Sequence, residues 1–274
     1  MWAMDTQTFN ANQLPERLQQ CGLKQLFISG VMPTTVPVAI VGTRRPTPYG
    51  RRVTEELAGK LGAVGIPVVS GLAFGIDQIA HTAALDAGGR CIAVLPSGLD
   101  RATISPQSHL ALADRIRQQD GAVVSEYPDG AVAYKGNYHA RNRIIAGFAE
   151  HVVVIEAGIP SGTLITAGHA ARYSRDVWAL PGPITSSVSA GTNRLIRDGA
   201  KPLVSVEAFL DELGVSSTPQ SGHPLLRWLL DGPSTIDYLA SRSDQSPAVI
   251  ERELITLELR GLIKRTADGQ VLRT

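Results

Sequence analysis

Gly42, Thr43, Arg44 and Arg45 follow the apolar run Val38-Ala39-Ile40-Val41 without a break, and they are the residues best placed for chemistry. A short apolar run ending on glycine reads as a strand buried on both faces of a parallel sheet. Pro48 marks the start of the next helix. A guanidinium at that turn offers a planar fork that matches phosphate oxygens. The Gly-x-Gly-x-x-Gly spacing of dinucleotide sites is missing here, so no nicotinamide or flavin cofactor is expected.

Three more stretches repeat this order of strand, small residues and helix. Ser70-Gly71-Leu72-Ala73-Phe74-Gly75-Ile76-Asp77 brings two glycines to a strand-to-helix turn, where backbone amides can approach a ligand. Lys135-Gly136-Asn137-Tyr138-His139-Ala140-Arg141-Asn142-Arg143 sets three cations around one ring, on a loop that enters a helix at Asn142. Phosphate clamps with a ring for a base are how single strands are held without sequence reading. Ser161-Gly162-Thr163, after the strand ending near Glu156, is the setting for an anion at a helix N-terminus. Gly42, Thr43, Arg44, Arg45, Ser70, Gly71, Gly75, Lys135, Tyr138, Arg141, Asn142, Arg143, Ser161, Gly162 and Thr163 therefore form the expected phosphate-binding set. Glu126 and Glu156 fall near strand ends, yet nothing places them around a scissile bond, so no catalytic residue is expected. Cys21 and Cys91 lack metal-like spacing, and His81, one turn beyond Asp77, reads as structural.

The elements that position these residues alternate regularly. Strands are expected at Val38–Gly42, Ile66–Ser70, Cys91–Leu95, Ala122–Ser125, His151–Ile155 and Asp176–Leu180. Helices are expected near 50–65, 76–87, 107–118, 142–149, 163–174, 192–198 and 206–213. Strand–helix alternation implies right-handed crossovers and a doubly wound parallel sheet. Residues 1–36 are weakly patterned and read as a short N-terminal arm, with a helix near Leu14–Gln20 and an extended segment at Leu23–Ile28. The α/β domain then spans 37–214. Residues 215–222 are small and polar, a linker. Residues 223–274 carry three short helical patterns, with Ser234 expected to cap the second and Ser246-Pro247 opening the third. A hairpin follows across Asp268-Gly269, which makes a winged helix. Its third helix, Ser246 to Gly261, holds Glu251, Glu253 and Glu258 against Arg252 and Arg260. That balance opposes phosphate approach and favours a protein contact or a packing role.

Composition narrows the function further. In 274 residues, 26 Lys+Arg against 25 Asp+Glu give a net charge of +1, so any nucleic-acid contact must come from a local basic patch. No apolar run is long enough to cross a bilayer and no signal-peptide pattern opens the chain, so a cytoplasmic protein without a membrane partner is expected.

The ordered motifs resemble the DNA-processing protein A family (DprA, also called Smf). They are Val41-Gly42-Thr43-Arg44, Ser70 to Asp77, Ser125-Glu126-Tyr127-Pro128, Arg141-Asn142-Arg143-Ile144-Ile145-Ala146-Gly147, Ser161-Gly162-Thr163-Leu164, Ala179-Leu180-Pro181-Gly182 and Gly191-Thr192-Asn193-Arg194-Leu195-Ile196. The resemblance covers about Leu26 to Leu213. It implies an extended Rossmann-like domain that binds and protects incoming single-stranded DNA and assists loading of the RecA recombinase in natural transformation. It also implies a homodimer, and Tyr138 stands where the family has a phenylalanine near a base. Tyr138-His139 replaces the family's Phe-Pro, and the helical N-terminal domain that many family members carry is expected to be missing or vestigial. Two rival readings remain. The Ser161-Gly162-Thr163 turn looks like the monophosphate loop of nucleotide phosphoribohydrolases of the lysine-decarboxylase-like fold, although Leu164-Ile165-Thr166 follows where those carry a glutamate. The other rival is a fold kept for protein interaction alone.

Overall fold

The structure is a computed structural model and describes residues 6–215, 224–229, 232–243, 245–259, 262–266 and 269–273. The chain divides after Val215 into two compact units. The first runs β1 (Gln7–Asn10), α1 (Glu16–Gln19), β2 (Gln25–Gly30), β3 (Val38–Val41), α2 (Pro48–Ala63), β4 (Val68–Ser70), α3 (Ile76–Asp86), β5 (Cys91–Leu95), α4 (Leu110–Gln118), β6 (Ala122–Ser125), α5 (Lys135–Phe148), β7 (His151–Val154), α6 (Gly162–Arg172), β8 (Asp176–Ala179), α7 (Ala190–Arg197), β9 (Lys201–Pro202) and α8 (Val206–Glu212).

One nine-stranded sheet results, in the order β1-β2-β6-β5-β4-β3-β7-β8-β9. Strands β3 to β9 are parallel, and β3 lies between β4 and β7, with Val38 opposite both Val68 and His151. Side chains alternate across β3 as a period of two requires. Val38 and Ile40 enter a core with Leu57, Leu61, Ile76 and Ala80 of α2 and α3. Ala39 and Val41 enter the opposite core with Ile144, Ile145 and Phe148 of α5. Both faces of the strand are buried, which explains the unbroken apolar run.

The N-terminal segment does more than pack as an arm. Its extended part becomes β2, which pairs antiparallel with β6 in the register Phe27↔Ser125 to Gly30↔Ala122, and β1 pairs antiparallel with β2. The sheet is therefore mixed, with an antiparallel edge. Leu18, Leu23, Leu26 and Ile28 join the α5-side core.

The second unit contains α9 (Pro224–Trp228), α10 (Ile236–Ser243), α11 (Pro247–Leu259) and a hairpin of β10 (Ile263–Arg265) with β11 (Val271–Arg273). Leu225, Leu226, Leu239, Ile250, Leu254, Leu257, Ile263 and Val271 form its core. The expected Ser234 cap is displaced by one residue. Ser234 bridges to Val271 of β11, and the Thr235 hydroxyl accepts from the Tyr238 amide at 3.3 Å. Arg265 on β10 pairs with Glu251 at 2.9 Å and Glu258 at 3.1 Å, so two of the acids of α11 are used inside the unit. The expected linker beyond Val215 and the turn residue Asp268 lie outside the described residues.

Candidate functional site

The strand order reverses between β3 and β7, because β4, β5 and β6 build outward on one side of β3 and β7, β8 and β9 on the other. In an open α/β sheet, ligands sit in the crevice at the carboxyl ends of the strands that flank such a point. A cleft of about 640 Å³ lies there, lined by Gly42, Thr43 and Arg44 after β3, by Pro160, Ser161, Gly162 and Thr163 after β7, and by the first turns of α5.

Local chemistry shapes each wall. Thr47 caps α2 by accepting from the Gly50 amide at 3.2 Å, and its own amide donates to the buried Glu156 carboxylate at 2.9 Å. This fixes the exit of the Arg44 loop. Ser161 caps α6 by accepting from the Thr163 amide at 3.2 Å. The Thr163 hydroxyl donates to the Gly42 carbonyl at 3.1 Å, which binds the two loops together across the switch point. Asn142 Nδ2 donates to the Gly162 carbonyl at 3.1 Å and docks α5 on the start of α6. Arg44 is exposed, with its guanidinium carbon 5.3 Å from the Tyr138 ring centroid, a cation–π contact that holds both groups at the mouth of the cleft. The Tyr138 hydroxyl lies 2.8 Å from Ser105 Oγ, so the ring is anchored at its far end too. Lys135 and His139 are exposed on the same wall.

Arg141, expected as a phosphate clamp, lines the cleft, but most of its side chain is committed to the protein beneath it. Its side chain is buried at 4% exposure and donates to the Val94 carbonyl beneath the β4–α3 turn. Gly71 crosses directly above, and a Cβ there would collide with the guanidinium. The Gly71 and Ala73 amides donate to Asp77 Oδ2 at 3.1 and 3.4 Å, so these amides serve the turn itself and not a ligand. Gly75 is held at φ +78°, and a Cβ there would press on the Thr43 carbonyl and the Arg44 backbone. The glycine-rich turn is thus a backing for the Arg44 loop.

The charged groups beneath this floor are buried. Burial raises the Asp77 carboxyl above its usual range, against the pull of Arg141 and the two amides. Burial lowers Arg141 to about 10, opposed by Asp77. Burial, helped by Arg141 and His109, pushes fully buried His81 down to about 3, so it stays neutral and structural. Cys91 is likewise inert, pushed by burial up to about 12.

Two other expected contacts, unlike Arg141, do not line the cleft. Ser70 Oγ donates to the Ile40 carbonyl inside the sheet, and the residue is fully buried. Arg143 turns to the opposite side of α5 and grips both oxygens of Glu126 at 2.6 and 2.7 Å. The reason is that residues 135–143 are helical from Lys135 onward and do not form a loop. Helical spacing sends Lys135, Tyr138, His139, Asn142, Arg141 and Arg143 in different directions, where a loop could gather them. Arg45 is exposed, its amide bonded to Thr43 Oγ1 at 3.2 Å, and its side chain does not line the cleft.

Sequence reasoning passed over residues that the fold brings to the rim. Tyr134 is 66% exposed directly before Lys135, and Phe74 is 47% exposed beside Ala73, its ring 4.7 Å from that of His109. For Phe74, an aromatic residue in the turn straight after the buried strand β4 was the available signal. Among the described residues, no group of three His, Cys, Asp or Glu side chains is arranged to hold a metal. The nearest carboxylates, Asp77, Glu126 and Glu156, are each engaged by protein donors.

A sequence model described as DNA recombination-mediator protein A matches residues 5–214. The chain is 35% identical over 275 residues to protein Smf of Escherichia coli, covering 90% of this chain and 71% of that protein. Its fold matches the X-ray structure of DNA processing protein A from Streptococcus pneumoniae with a TM-score of 0.69 at 37% identity, over 76% of this chain and 74% of the other. A second match is DNA processing protein A from Helicobacter pylori, whose structure concerns its single-stranded DNA binding mode. The TM-score there is 0.68 at 32% identity, over 77% of this chain and 96% of the other.

Proposed function

The chain belongs to the DNA recombination-mediator protein A family, and from that premise we propose that it binds single-stranded DNA without reading its sequence. In this reading the phosphates lie in the cleft at the β3–β7 switch point, against Arg44, Lys135 and the start of α6. The bases face Tyr138 and the aromatic rim. The observation that carries the reading is Arg44 held over Tyr138 at 5.3 Å, a cation and a stacking surface presented together at the mouth of a cleft whose carboxylates are all engaged. A strand so held is protected and ready for transfer, which fits a cytoplasmic homodimer that hands DNA to the RecA recombinase. We read the second unit as a winged helix with a protein-contact or packing role, because α11 presents Ala248, Val249, Arg252, Ile255 and Thr256 outward with one cation among them. Among the described residues, no helix is long and apolar enough to cross a membrane.

No catalytic step enters this proposal. Hydrolysis of a nucleotide needs a free carboxylate at the ligand; Asp77 lines the cleft but accepts from the Gly71 and Ala73 amides, and Glu126 and Glu156 are held by Arg143 and Thr47. Binding of a labelled oligothymidine at two salt concentrations, for wild type and Arg44→Ala, tests the reading. The expected result is salt-sensitive binding, with the salt slope reduced by about 0.7 and the affinity roughly tenfold lower in the variant. Failure of both proteins to bind, with release of free base from a nucleoside monophosphate, would establish the hydrolase reading in its place.

A further inference from the structure

We propose that Phe74 is a second base-stacking position beside the Arg44–Tyr138 pair, and that the segment 99–109 is a frame that sets both rings through Ser105 and His109. The ligand is a pair of successive nucleobases on one single strand, with Arg44 between them. This inference rests on the single-strand reading above and extends it.

Arg44 stands between two rings. On one side its guanidinium carbon is 5.3 Å from the Tyr138 ring centroid. On the other, its backbone packs on the turn that carries Phe74. A Cβ on Gly75 would lie 2.7 Å from the Arg44 carbonyl oxygen, and the Ile76 amide donates to the Thr43 carbonyl at 3.2 Å. Ala73, the residue before Phe74, lines the cleft together with Arg44 and Tyr138. Phe74 itself is 47% exposed. A phenylalanine has no polar end, so what it offers a ligand is its apolar ring. Single exposed apolar residues are ordinary on a protein surface. Phe74 differs in what holds it.

Both rings are fastened to one segment, 99–109, between β5 and α4. Ser105 Oγ lies 2.8 Å from the Tyr138 hydroxyl, a partner that a phenylalanine at 138 would not supply. Buried His109 donates from Nδ1 to the Leu72 carbonyl at 2.8 Å. Its ring meets that of Phe74 edge-on, with centroids 4.7 Å apart and planes at 64°. The segment is itself fixed. Leu99 and Ile104 are buried in the core, and the Asp100 carboxylate accepts from the Ala102 and Thr103 amides at 3.1 Å and from the Gly130 amide at 2.7 Å. The contacts close a circuit through Arg44, Tyr138, Ser105, His109, Phe74 and Gly75. Rings set in advance lose little freedom when a ligand arrives, and affinity gains by that saving.

The chemistry of the two positions names the ligand class. An aromatic face stacks on every base, and such stacking tolerates any sequence. A guanidinium between two rings is set for the phosphate that joins two bases. Ser105 Oγ and His109 Nδ1 are directed at protein groups, so neither atom reads a base edge. The two rings therefore add affinity without adding sequence preference.

Two probes test this: an oligothymidine beside an abasic strand of the same length, and a 5-iodouracil strand, which cross-links to stacked aromatic rings under light. Phe74→Ala is expected to weaken oligothymidine at least about fivefold, the lower end of what one base–aromatic stack contributes. The abasic strand should bind wild type and Phe74→Ala alike. Cross-links mapped by mass spectrometry should fall on both Tyr138 and Phe74. Ser105→Ala should lose the Tyr138 cross-link first, with Ser105→Thr restoring it, and His109→Leu should lose the Phe74 cross-link first. Wild-type affinity in Phe74→Ala, with affinity lost in Arg44→Ala, overturns this inference and leaves the single-strand reading standing. Equal weakening on the abasic strand makes Phe74 structural and overturns it too, as do cross-links at Tyr138 alone. Equal loss of both cross-links in Ser105→Ala overturns the frame, and that variant alone decides the frame if His109→Leu does not fold. No binding of any strand by wild type removes the single-strand reading and this inference with it.

Discussion

Replacing Arg141 by alanine separates a strut from a ligand. The structure places its guanidinium under Gly71, donating to the Val94 carbonyl and facing the Asp77 charge, at 4% exposure. Removing it deletes a charged hydrogen bond worth about 1.5–3 kcal/mol. It also leaves Asp77 buried without its countercharge, and breaking a buried charge pair in this way costs about 3–5 kcal/mol in all. For a unit of this size each kcal/mol lowers the melting temperature by about 2–4 °C, so the drop should be about 6–20 °C. The pH dependence follows with a definite sign. The Asp77 carboxyl is already raised, and without Arg141 it rises further. A raised carboxyl stabilises the folded state in acid, and that stability is lost as pH rises through the folded value. The deficit of the variant relative to wild type should therefore be smaller near pH 5 than near pH 8 (values of order set by the ordinary carboxylate range). Thermal unfolding followed by circular dichroism at both pH values, beside oligothymidine binding, decides the matter. A variant that melts like wild type yet loses DNA affinity would refute the strut and restore Arg141 as a direct phosphate ligand.

Other perturbations follow from the same geometry. Gly75→Ala should cost about 1–3 kcal/mol from its positive φ and displace the Arg44 loop, lowering both melting temperature and DNA affinity. Fully buried His81, neutral down to about pH 3, should make the protein acid-labile. Its contribution is present above the unfolded histidine value of about 6.5 and is lost as pH falls, by up to about 5 kcal/mol. His81→Leu should flatten that acid limb in a series of melting curves. Thr163→Val removes the hydroxyl bond to the Gly42 carbonyl and should cost about 1 kcal/mol while loosening the cleft, seen as faster oligothymidine dissociation.

The core α/β pattern was legible because its strands are buried on both faces. Val38–Val41, Cys91–Leu95 and Val152–Val154 read as apolar runs, and each is followed by turn residues and a helix. Strand β2 was visible only as an extended segment. Its alternation of half-buried and buried residues carries no information on pairing direction, which the antiparallel register with β6 decides. The start of α5 was missed for a different reason. Gly136 and Asn137 are poor helix formers, yet tertiary contacts override them, with Asn137 Nδ2 donating to the Pro96 carbonyl at 3.0 Å. Once that turn is helical, three neighbouring cations cannot share a ligand, and the expected trio of Lys135, Arg141 and Arg143 divides into cleft wall, strut and ion pair. The Gly42–Arg44 and Ser161–Thr163 loops needed no such correction in position, since a strand end at the switch point fixes where a short turn must go.

The absence of a side chain at position 71 and the presence of a long one at position 141 amount to a single packing unit. An alanine at 71 in this background meets the guanidinium, while a shorter residue at 141 removes the obstacle but strands Asp77. The two substitutions together should therefore be less harmful than the sum of each alone, with a coupling of about 0.5–3 kcal/mol. Arg141 is held by the Val94 carbonyl and the Asp77 charge, and Gly71 leaves the space that its guanidinium fills.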